Sequence, residues 1–82
     1  KEGLTIYPNP NHGSFIMKWP ENIGEKGTIK IFNLQGVCIY ENKLENIKSG
    51  NYTIKSEGIP KGAYLLVLRT NTNRLFKSFL AY

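Results

Sequence analysis

Clusters of Gly, Pro and Asn interrupt this chain at intervals of roughly 8–12 residues, and nothing between them is long enough for a stable helix. No window shows apolar residues at the three-and-four spacing of an amphipathic helix over a useful length. The intervals hold short runs rich in Ile, Tyr, Phe, Thr and Leu instead, several alternating apolar with polar. A sequence built this way is restricted to an all-β fold with tight connections.

The runs number seven. Leu4–Tyr7 comes first and stops at Pro8-Asn9-Pro10-Asn11-His12-Gly13. Two prolines lack the backbone donors of a central strand, so this stretch reads as a loop or an edge crossover. Ser14–Trp19 follows, with Phe15, Met17 and Trp19 on one face. A polar region over Pro20–Gly27 leads to Thr28–Phe32, where Ile29 and Ile31 share a face. Asn33-Leu34-Gln35-Gly36 reads as a hairpin turn, and Val37–Glu41 returns antiparallel with Val37 and Ile39 in phase. Leu44 and Ile47 stand out as apolar lid contacts within a polar stretch. Asn51–Lys55 places Tyr52 and Ile54 together. In the corner Ser56–Gly62, Ile59 needs a dry site and is expected to plug one end of the core. Ala63–Thr70 is so apolar that it is either a central strand covered on both faces or one with an exposed apolar stripe. Asn71-Thr72-Asn73 turns the chain into Arg74–Tyr82.

Seven strands within 82 residues predict a small antiparallel two-sheet sandwich, immunoglobulin-like in architecture, formed as one domain over residues 4–82. A chain this size buries only about 60% of its unfolded surface, enough for one core and no second lobe. No apolar run approaches the roughly 18 residues of a membrane span. The start, Lys1-Glu2-Gly3-Leu4-Thr5, has no apolar signal-peptide region, so the chain reads as an excised piece or processed end of a longer protein.

The polar inventory argues against an enzyme. There is no Asp, one His (His12), one Cys (Cys38), and Glu only at 2, 21, 25, 41, 45 and 57, scattered among turns and strand ends. Metal sites and paired-carboxylate chemistry need such groups gathered at set separations. No catalytic residue, cofactor or metal is therefore expected. Cys38 reads as a half-buried spectator thiol and His12 as a solvated turn residue. Asn51-Tyr52-Thr53 matches a glycosylation sequon on three residues alone. The net charge of +5 comes from nine Lys and two Arg dispersed along the chain. Nucleic-acid readers gather cations on one face and favour Arg for bidentate contacts; dispersed Lys suits solvent faces and edge strands.

The order of the motifs adds what composition does not. Tyr7-Pro8-Asn9-Pro10-Asn11-His12-Gly13-Ser14-Phe15 is similar to the opening of the C-terminal sorting domains (type A) of the type IX, or Por, secretion system. That opening reads Tyr-Pro-Asn-Pro, two variable residues, Gly, one variable residue and an aromatic or aliphatic. Ile29–Gly36 resembles the second landmark, an alternating strand closing in Asn-Leu-x-Gly. Ile59–Leu68 resembles the third, Lys-Gly-x-Tyr before an apolar strand, and Arg74–Leu80 looks like the terminal strand. Val37 stands where the family often has a polar residue, and the large aromatics Phe79 and Tyr82 stand where short aliphatics are common.

The resemblance implies a non-catalytic signal at the end of a secreted protein of a Bacteroidetes-type bacterium. It implies that the outer-membrane translocon reads the domain and that a surface sortase-like peptidase removes it. The cargo domain would lie upstream in cis, with passage through periplasm and outer membrane to the cell surface. Carried onto this chain, the signal residues are Pro8, Asn9, Pro10, Gly13, Lys61, Gly62, Tyr64, Lys77, Phe79 and Leu80. Tyr64 is expected to bury its ring and tie its hydroxyl to a loop. The last strand is either a docking edge, with Phe79 or Leu80 filling pockets in a receptor, or simply the final strand of the core. Two alternatives compete. A fibronectin-like or carbohydrate-binding sandwich requires an exposed aromatic platform, with Trp19, Tyr40 and Tyr52 as candidates; a basic nucleic-acid binder requires steep salt dependence.

Overall fold

The computed structural model describes residues 3–20, 23–48, 50–56 and 58–82. Glu2, Glu21 and Glu57, three of the scattered carboxylates, lie outside the described residues. Seven strands form two antiparallel sheets packed as a sandwich. They are β1 (Thr5–Tyr7), β2 (Ser14–Lys18), β3 (Gly27–Phe32), β4 (Cys38–Leu44), β5 (Asn51–Lys55), β6 (Gly62–Thr70) and β7 (Arg74–Ala81). One sheet has the order β1-β2-β5 and the other β4-β3-β6-β7. The chain therefore crosses between sheets after β2, β4 and β5, the connectivity of an immunoglobulin-like Greek key.

Alternation builds the core. Phe15 and Met17 face inward from β2, Ile29 and Ile31 from β3, Ile54 from β5, and Tyr64, Leu66 and Leu68 from β6. Each fully buried aliphatic contributes about 1.5–3 kcal/mol relative to exposure. Trp19 closes one end, its indole N–H donating to the Ile47 carbonyl at 2.7 Å. That bond draws the stretch after β4 over the core, and Leu44 and Ile47 are buried beneath it. Ile59 packs against the core from the corner before β6, half-buried. The Asn33–Gly36 hairpin forms as its sequence predicts: Asn33 Oδ1 accepts from the backbone N–H groups of Gln35 and Val37, both at 3.0 Å.

The structure decides two readings the sequence left open and corrects one. Val37 and Ile39 share a phase, and the face they share is the solvent face. The pairing shifts between Ile31–Tyr40 and Phe32–Cys38, a bulge that accommodates one extra residue on β4. Tyr40, Asn42 and Leu44 thereby take the inward phase. Cys38 is exposed rather than half-buried, its thiol directed at the Tyr40 carbonyl at 3.2 Å. Of the two readings of β6, the exposed apolar stripe is the one formed: the strand is central in its sheet, and Leu65 and Val67 lie on an outer face that no described layer packs against.

Candidate functional site

The loop that follows β1 is held to the end of β7. Asn11 is 2% exposed and is the one buried polar residue among those described. Its amide donates to the Pro8 carbonyl at 3.0 Å and its Oδ1 accepts the Gly13 N–H at 2.8 Å. This is the Asx geometry by which a short amide side chain replaces a backbone turn. With the loop shaped from within, the Asn11 backbone is free to pair outward. Its N–H donates to the Leu80 carbonyl at 3.0 Å, and its carbonyl accepts the Tyr82 N–H at 2.8 Å. Asn9 adds a third bond, its Oδ1 accepting the Leu80 N–H at 3.2 Å. The His12 ring lies over Tyr82 with centroids 4.1 Å apart and planes 34° apart. Its Nδ1 hydrogen-bonds the Tyr82 carbonyl.

Gly13 anchors the other side of this clasp. Its φ is +104°, a conformation that L side chains rarely adopt, and a Cβ there would overlap the Ser56 carbonyl oxygen. The Gly13 carbonyl accepts the Ser56 N–H at 2.8 Å, which ties the loop to the end of β5. The third motif reaches the same end of the sandwich. Gly62, at φ +152°, begins β6 and pairs with Ala81. Tyr64 buries its ring and donates its hydroxyl hydrogen to the Pro60 carbonyl, fixing the corner. That ring stacks on Phe79 with centroids 5.6 Å apart, and Phe79 meets Phe15 at 4.8 Å.

Most of the expected signal residues therefore converge. Pro8, Asn9, Pro10 and Gly13 from the first motif meet Gly62 and Tyr64 from the third, and Phe79 and Leu80 from the last strand. An open depression of about 320 Å³ lies where Asn9, Pro10, Ala63, Ser78, Phe79 and Leu80 come together. Lys61 is exposed beside Gly62, whereas Lys77 stands apart, exposed in mid-strand opposite Leu66. Phe79, at 2% exposure, is a core side chain, which agrees with the core-strand reading of β7. Leu80, next to it, is 54% exposed. β7 is at once the edge of its sheet and the source of Phe79 and Ala81 for the core, so features of both readings are present in one strand.

Asn11 and His12 also belong to the clasp, although the motif does not mark them. They occupy the two variable positions of the motif. The local pattern Asn-x-Gly, which favours an Asx turn, was the available signal for Asn11. Nothing in the sequence signals the contact of His12 with a residue 70 positions away.

The three rings named as candidates for the carbohydrate-binding alternative do not form an exposed platform. Trp19 is in the core, and Tyr40 and Tyr52 pack half-buried against it. The Tyr52 oxygen accepts from the Asn42 amide at 2.7 Å. Burial, reinforced by Tyr52, raises the Tyr40 phenol above its ordinary value of 10.0. No helix among the described residues is long and apolar enough to cross a membrane.

By its fold the chain belongs to the class of small antiparallel β-sandwich domains, and it brings three separated motifs to one end. A family model, the secretion system C-terminal sorting domain, matches residues 5–81, and the chain belongs to that family. Such a domain is the signal that directs its cargo through the type IX secretion system and across the outer membrane to the cell exterior. It works with the type IX machinery and with cargo in cis. No curated protein matches the chain.

Proposed function

We propose that the type IX machinery reads this domain folded, at the composite surface where the Pro8–Gly13 loop meets Leu80–Tyr82, and that residues 4–82 act as the complete signal without chemistry of their own. The supporting observation is the clasp: Asn9 and Asn11 hold the backbone of Leu80 and Tyr82, joining motifs 71 residues apart. Neither motif presents this surface alone. Pro8, Asn9, Pro10, Lys61 and Leu80 supply the exposed groups, while Gly13, Gly62, Tyr64 and Phe79 hold them in place. A surface sortase-like peptidase that removes the domain after passage fits this reading, since a sandwich with its own core separates from upstream cargo without loss of cargo packing.

The test is a reporter fused ahead of residues 4–82 in a competent host. The fusion is expected at the cell surface. Asn11→Ala and Asn9→Ala are expected to lower display in proportion to release of the tail, followed by amide exchange at Leu80 and Tyr82. Full display with the tail demonstrably released would sink the composite surface.

A further inference from the structure

We propose that the open half of β7 and the outer face beside it form a docking site for an extended partner strand bearing a carboxylate and apolar side chains. The inference rests on the sorting-signal reading and adds the chemistry of the partner.

The backbone defines where such a strand fits. Leu80 and Tyr82 turn their backbone groups away from β6, as their bonds to Asn9 and Asn11 show. Backbone direction alternates along a strand, so Ser78, Phe76 and Arg74 also turn theirs outward. Among the described residues no partner strand lies on that side of β7, which ends its sheet. The clasp thus closes the last outward groups and leaves a row of three residues unpaired, an edge of the kind extended peptides extend by strand addition.

The side chains define what the strand carries. On the outer face, Phe76 lies opposite Val67, and Val67 opposite Lys30. In the next row Phe32 lies opposite Leu65, and Leu65 opposite Ser78. Phe76 is 53% exposed, and an open groove of about 270 Å³ runs among these residues. One row away, Arg69 and Arg74 are directly opposite each other on the same face. Like charges in that position destabilise a strand pair. Neither arginine has an ion-pair partner among the described residues, and Thr28 is the other cross-strand neighbour of Arg69. Lys30 differs, having Glu41 opposite it. An unrelieved arginine pair beside an exposed Phe–Val–Leu groove matches a strand with a carboxylate opposite Arg74 and apolar residues opposite Phe76 and Ser78. For an antiparallel strand the order is apolar, x, apolar, x, acidic.

The test uses the 82-residue chain and the blocked peptide Thr-Val-Thr-Val-Thr-Glu-Thr, with Thr-Val-Thr-Val-Thr-Lys-Thr as control. Backbone amide resonances of Phe76 and Ser78 are expected to shift and exchange more slowly with the Glu peptide. The Lys peptide is expected to bind about tenfold more weakly, and Arg74→Glu to invert that preference. Phe76→Pro leaves the β6–β7 bonds intact, because the Phe76 N–H faces outward, and is expected to abolish binding while thermal stability stays within a few degrees. Unmoved Phe76 and Ser78 amides at millimolar peptide would overturn the proposal, as would equal binding of the two peptides. Shifts that depend on protein concentration alone would overturn it in favour of a second copy. A wild-type reporter left in the periplasm would instead count against the sorting surface, so the two failures are separable.

Discussion

β7 has two halves that obey opposite rules. From Leu80 onward its outward backbone is bonded by Asn9 and Asn11, and the neighbouring Phe79 and Ala81 are in the core. From Arg74 to Ser78 the same strand keeps its pairing with β6 but presents a bare edge and the ring of Phe76. A free edge is a hazard that proteins blunt by covering or by charge. Here the loop covers one half and Arg74 and Lys77 charge the other. The difference separates rigidity from access: the clasped half fixes the terminus in space, and the open half stays available.

Breaking that contrast at its strongest point means truncating Phe79. Phe79→Ala removes the ring shared by Phe15 and Tyr64 and is expected to cost about 3–5 kcal/mol in denaturant unfolding. Leu80→Ala, one residue on, is expected to cost less than about 0.5 kcal/mol, because an exposed side chain loses little. Equal costs would mean that the strand does not alternate as described. Gly13→Ala comes next, at about 1–3 kcal/mol from backbone strain, plus displacement of the Ser56 carbonyl. Asn11→Ala leaves the Gly13 N–H and the Pro8 carbonyl without their partner and is expected to cost about 1–3 kcal/mol. It should also speed amide exchange at Tyr82 while leaving the β6–β7 amides near Phe76 protected as before. Phe76→Ala is expected to be near neutral, within about 0.5 kcal/mol, and so sharpens the assignment of that ring to contact rather than packing.

The smallest effect concerns pH. The phenol of Tyr40 is raised above 10.0 in the folded state, by burial first and by Tyr52 second. Between the unfolded and folded values the native state holds more protons, so stability falls as pH rises through that window. Tyr40→Phe is expected to flatten the slope above about pH 10 and to change nothing near neutrality. Unfolding titrations of the two proteins at pH 8 and pH 11 compare it directly.

Much of the fold was legible from the chain because two-residue alternation and turn residues are local properties. Phe15, Met17, Ile29, Ile31 and Ile54 declared their faces, and Pro8–Gly13 declared a loop. The inward phase of Tyr40, Asn42 and Leu44 was not declared, because a single extra residue in the β3–β4 pairing reverses every side chain beyond it. The site was legible as separate motifs and not as a surface. Asn11 occupied a variable position, and the sequence carries no record of which strand end its backbone meets.

What the amino-acid order determined by itself was the all-β character, the positions of the strands and the family to which the chain belongs, since each depends on neighbours within a few residues. Only the tertiary structure decided that Phe79 is buried, that Leu80 is held by Asn9, and that Phe76 stands beside an unrelieved arginine pair. Those outcomes depend on sheet order and on which edge remains unpaired, and both are set by contacts between residues far apart along the chain.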